Sequence, residues 1–216
     1  MVKLYIYILL LLLSLYCCVS SFYITIKYSP VKIKIFSSLV LLALIGRYFS
    51  LIIFYISQNI KYLYYFKPIL NINFISIPLI YILCIFVFMR RDKARFEKVF
   101  LITAILLVVY VFIMMKFTLV IQIDNIFGYV FSIIDEVYIY YGYIIFSGVL
   151  SCFIIINKDK PHVNKKSMTM LLFIVLFAII ENILYTFGRE IVCYSIVSEV
   201  LALIAMNLAL KTFKKI

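Results

Sequence analysis

The chain has 216 residues, of which 67% are hydrophobic and 14% charged. No polar stretch exceeds about a dozen residues, which leaves no room for a water-soluble domain. The net charge of +12 comes from Lys and Arg clustered between apolar runs of about 20 residues, a pattern that belongs to membrane topology and argues against nucleic acid as a partner. The composition predicts an all-α polytopic membrane protein, a single integral domain over residues 1–216 with about seven transmembrane helices.

The first run, Leu4 to Ile26, is too long for the apolar core of a secretory signal, so it reads as the first span. Pro30 breaks the helix in a loop carrying Lys27, Lys32 and Lys34. The second run, Ile35 to Ile56, holds Arg47 close to its middle. It is followed by Tyr62, Tyr64, Tyr65 and Phe66 between Lys61 and Lys67, an aromatic cluster suited to the headgroup level. The third run, Leu70 to Met89, contains Pro78 and ends in the basic segment RRDKARFEK. A fourth run, Val99 to Ile123, has Lys116 toward its far end, where the side chain can snorkel.

From Ile126 to Asn157 a longer apolar stretch is interrupted by Asp135 and Glu136. Its helix starts either near Val137, with both acids at the interface, or near Phe127, with both inside. Gly142, Ser147, Gly148 and Ser151 offer small-residue surface for close packing. The sixth run, Met168 to Phe187, carries Glu181 and Asn182. A GRE turn then leads to the seventh, Ile191 to Leu210, with Glu199 near its centre. Cys17, Cys18, Cys84, Cys152 and Cys193 lie in apolar runs without ligand spacing and read as packing residues. His162 is a lone loop histidine.

Alternate ends of these spans carry 15 and 4 Lys and Arg residues, so the positive-inside rule predicts an outside N-terminus and a cytoplasmic C-terminus. With that orientation Arg47, Asp135, Glu136, Glu181 and Glu199 fall in the outer half of the bilayer. An acidic residue at mid-bilayer costs roughly +2.5 to +3.5 kcal/mol on translocon scales, so each of these groups needs a partner or a function. Phe177, Glu181 and Tyr185 share a helix face, as do Glu136, Tyr140 and Tyr143, and Ser195 and Glu199. A polar pocket open to the outer side is one outcome. The structural alternative pairs Arg47 with one carboxylate and leaves the other acids protonated or hydrogen-bonded between helices.

The segment FAIIENILYTF, with Phe177, Glu181 and Asn182 followed by Ile183, Leu184 and Tyr185, resembles the second motif of the PrsW-type intramembrane proteases. The first motif of that family, Glu-Glu-x-x-Lys, would fall on Asp135, Glu136 and Ile139. The third, an Arg followed by a His, would fall on Arg189 and Glu199. Ile139 and Glu199 depart from the family pattern, and the resemblance is confined to residues 124–216, leaving the first four helices unmatched.

The resemblance implies hydrolysis of a membrane-embedded peptide near the outer leaflet of a bacterial cytoplasmic membrane, with a single-span membrane protein as substrate. Glu136 and Glu181 would polarise the water, and Glu199 would complete the base or metal site. Asn182 or Arg189 would stabilise the oxyanion, with Asp135 in support; Arg47, outside the resemblance, is a supporting candidate from its depth in the second run. Glu181 and Glu199 are also the candidate ligands of a divalent metal such as zinc. The missing Lys and His leave a pseudoprotease that binds a membrane partner as the competing expectation, beside a small transporter with Arg47, Glu181 and Glu199 as its path, or a seven-helix sensor.

Overall fold

In a bilayer every backbone N–H and C=O must be satisfied internally, which an α-helix does within one segment. The computed structural model describes residues 2–56, 65–89, 97–124, 128–133, 136–188 and 195–215, without the side chains of 2, 54, 55, 67, 97, 98, 119, 121–124, 128–132, 136 and 215. Its helices are α1 (Val2–Tyr28), α2 (Val31–Ile56), α3 (Asn73–Phe88), α4 (Glu97–Lys116), α5 (Glu136–Asn157), α6 (Lys165–Thr186) and α7 (Ile196–Lys211). A single turn, Lys67–Leu70, precedes α3, and a 3₁₀ turn, Thr212–Lys215, closes the chain. Among the described residues seven helices are long and apolar enough to cross a membrane. The chain is a multi-pass membrane protein built as an all-α bundle.

Helix α7 packs against α1, α3 and α6, and α2 packs against α1 and α3, so these helices enclose the core. Leu41, Leu44, Ile80, Leu83, Leu203 and Met206 are buried there. Helix α5 pairs with α6. Helix α4 packs mainly on α3, and only 6% of its span is covered by protein. Its exposed Leu101, Ile105, Val108 and Phe112 face the hydrocarbon that the helix would meet in a bilayer. Several hydroxyls inside the spans are satisfied by their own helix: Ser14 donates to the Leu10 carbonyl, Thr25 to Ser21 and Ser37 to Ile33, the usual way to hide a hydroxyl from lipid. Asn164 caps α6 by accepting from the Ser167 N–H, and its own N–H donates to the Phe88 carbonyl at the end of α3.

Two boundaries differ from those read in the sequence, and one of two alternative starts is selected. The fourth run does not continue as helix to Ile123. Helix α4 stops at Lys116, and an antiparallel hairpin follows, β1 (Leu119–Asp124) with β2 (Gly128–Ile133), Leu119 opposite Ile133 and Asp124 opposite Gly128. The β-branched Val120, Ile121, Ile123, Val130 and Ile133 favour this pairing, and hydropathy alone did not separate it from the helix before it. Helix α5 begins at Glu136, which selects the later of the two starts expected for the fifth span. Helix α7 begins at Ile196, which moves Glu199 from the expected centre of its span to the first turn.

Candidate functional site

Because successive spans alternate in direction, the C-terminal ends of α2 and α6 share one end of the bundle with the N-terminal ends of α3, α5 and α7. Arg47 and Glu181 come from the former; Asn73, Tyr140, Tyr143 and Glu199 come from the latter. Among the described residues the buried charged side chains, Arg47, Glu181 and Glu199, all lie toward this end.

Arg47 is 2% exposed and forms an ion pair from Nη1 to Glu199 Oε2. Its Nε donates to the Leu70 carbonyl at 2.7 Å, one of the unpaired carbonyls that the end of the Lys67–Leu70 turn leaves open. Tyr48 OH donates to the same Glu199 Oε2 at 3.1 Å, and Asn73 Nδ2 donates to Oε1 at 3.0 Å. Three donors from two other spans therefore occupy both oxygens of Glu199. A buried ion pair is worth little over an apolar replacement, but losing one partner strands the other in low dielectric.

Glu181 has a different partner. Its Oε2 accepts from the Ser198 N–H at 2.9 Å, in the first turn of α7. Ser195, the residue at the N-cap, has φ +51 and makes no capping hydrogen bond with its own side chain. Glu181 thus caps α7 from a neighbouring helix, where the positive end of the helix dipole favours a carboxylate. Its Oε1 is buried and has no hydrogen-bond partner among the described residues. Asn182 turns back on its own helix, Nδ2 donating to the Ala178 carbonyl at 2.6 Å.

A cavity of about 20 Å³ opens between these groups, lined by Asn73, Tyr140, Tyr143, Asn182, Ser195, Ser198 and Glu199, with Phe74 and Ile77 as its apolar wall. That volume suits one water molecule. Tyr140, on the face expected to carry Glu136 and Tyr143, meets Tyr185, from the face of Phe177 and Glu181, with ring centroids 4.5 Å apart and planes tilted by 39°. Phe74 meets both Tyr140 and Tyr143 edge-on.

The expected residues are therefore brought together in part. Glu181, Asn182, Glu199 and Arg47 lie in one polar cluster. Asp135 and Arg189 lie outside the described residues, as does the Glu136 side chain, although the backbone of Glu136 starts α5. Tyr48, Asn73 and Ser198 were not singled out in the sequence. Tyr48 follows Arg47, and Asn73 reads as part of a loop until the start of α3 is fixed. Among the described residues no group of three His, Cys, Asp or Glu side chains is arranged to hold a metal ion. Zinc needs three protein ligands in a catalytic site, so these described residues do not fit it. No protein-family model and no curated protein matches the chain.

Proposed function

We propose that the chain is a non-catalytic multi-pass membrane protein with a PrsW-like polar end, acting by binding a membrane-embedded partner of the single-span class. The observation that supports this reading is the bonding of Glu199. It stands where the resembled family carries histidine, and Arg47, Tyr48 and Asn73 take both its oxygens. A general base must be free to take a proton from a substrate or its water, and protonating this carboxylate would break a buried ion pair. A water-sized cavity also offers no bed for an extended peptide.

A second reading, hydrolysis near the outer leaflet, is favoured by one observation. Glu181 keeps an oxygen with no partner among the described residues, in the cluster where Asn182 lines the cavity, so of Glu181 and Glu199 it is the one still able to draw a proton from water. Reconstitution in lipid vesicles with a panel of single-span peptides decides between the two. The first reading predicts no cleavage product above that of empty vesicles. Cleavage that disappears in E181Q would establish the second.

A further inference from the structure

The net charge of +12 is not spread over the molecule. By chain order, the end where α1, α3, α5 and α7 finish and α2, α4 and α6 begin carries 15 Lys and Arg residues against three acids, Asp92, Glu97 and Asp159. The other six cations and six acids belong toward the opposite end, where they balance. Three carboxylates cannot neutralise fifteen cations, and one of the three, Asp159, already lies 3.6 Å from Lys165.

One corner of this basic end is built around a tyrosine. Lys27, in the last turn of α1, donates from Nζ to Tyr23 OH at 3.5 Å and lies 5.5 Å from the centroid of the Tyr28 ring. Lys214, in the 3₁₀ turn that packs back on α1, lies 5.9 Å from the same centroid. Both lysines are exposed, and Tyr28 is half-buried. A ring attracts an ammonium without cancelling its charge, so two cations held on one ring leave a local excess that calls for an anion. Lys32 and Lys34 add to it from the first turn of α2, which contains no acid. Cations at that position oppose the helix dipole, whose positive end favours an anion such as phosphate.

This corner sits at the ends of membrane spans, the level of lipid headgroups, where tyrosines concentrate and lysine clusters recruit anionic lipid. We propose that it binds the headgroup of an anionic phospholipid, with Lys27 and Lys214 on the phosphate and Tyr28 holding both in place. The site lies at the far end from the Arg47 and Glu199 pair and does not depend on whether the protein binds or cleaves a peptide. It is tested on the purified full chain in a neutral detergent by following thermal unfolding as phosphatidylglycerol is added. Phosphatidylcholine is the zwitterionic control, and inorganic phosphate is the anion without acyl chains. Phosphatidylglycerol raises Tm saturably, by roughly 5 °C or more at a concentration a hundredfold above half-saturation, and the two controls do not. K27Q/K214Q raises the half-saturating concentration roughly tenfold or more. K158Q/K166Q, which removes the same charge from another loop of this end, changes it less than about threefold. No response to phosphatidylglycerol, or an equal one to phosphatidylcholine, would overturn the proposal. So would an equal response to inorganic phosphate, which would make the ligand a free anion, or equal shifts in the two double variants, which would reduce the effect to diffuse charge.

Discussion

Arg47 and Glu199, 152 positions apart in the chain, form a buried ion pair that joins α2 to the first turn of α7. The pair is closed by Tyr48 and Asn73 on the carboxylate and by the Leu70 carbonyl on the guanidinium, so the charges are bonded on every side the described residues reach. Geometry of this kind fixes the relative placement of helices more than it adds net stability.

Replacing one partner of the pair has a defined consequence. E199H, which would recreate the histidine of the resembled family, removes both carboxylate oxygens from Arg47, Tyr48 and Asn73. It destabilises the protein by about 3–5 kcal/mol, and neither E199H alone nor E199H with I139K gains proteolysis. Unfolding in a detergent titration gives the stability, and a vesicle cleavage assay gives the activity.

Asn73 tests the second oxygen. N73A leaves Glu199 Oε1 buried without its donor, a loss of about 1–3 kcal/mol, and N73D is worse because it places a carboxylate against a carboxylate. A thermal shift of the two variants beside the wild type reads this order directly, and a milder effect for N73D would contradict it.

The capping role of Glu181 separates from its charge. E181Q retains an acceptor for the Ser198 N–H, whereas E181A loses the cap and about 1 kcal/mol. Hydrogen exchange at the amides of Ile196 to Glu199 should quicken in E181A and stay near the wild-type rate in E181Q.

Topology is open to a direct check. The excess of Lys and Arg predicts a cytoplasmic loop around His162 and an extracytoplasmic hairpin around Gly128. In a background freed of native cysteines, H162C labels with an impermeant thiol reagent only after the membrane is opened, and G128C labels in intact cells. The reverse pattern would invert the bundle and place the polar cluster on the cytoplasmic side.

Seven spans were legible from hydropathy because lipid imposes a length and an apolar composition on each one. Arg47 and the two glutamates were legible as a cluster for the same reason, since a charge in a span must find a partner. Which acid Arg47 would choose was not, because pairing depends on helix rotation and on where α7 begins. A start at Ile196 instead of near Ile191 moves Glu199 to the helix end, where Arg47 and Asn73 reach it. The hairpin was missed because Leu119 to Ile123 is apolar enough to extend the helix before it. Glu181 as a cap was hidden too, since the N–H it serves belongs to another helix.

A double-mutant cycle on Arg47 and Glu199 tests the central claim most directly. With R47M, E199L and the double variant compared by reversible detergent unfolding, a buried pair predicts that each single change is strongly destabilising. The double variant should then recover much of the loss, with a coupling energy of about 1.5–3 kcal/mol. Single changes that simply add, within about 0.5 kcal/mol, would mean that the two side chains do not meet in the folded protein, and the account of a sealed, non-catalytic Glu199 would fall with them.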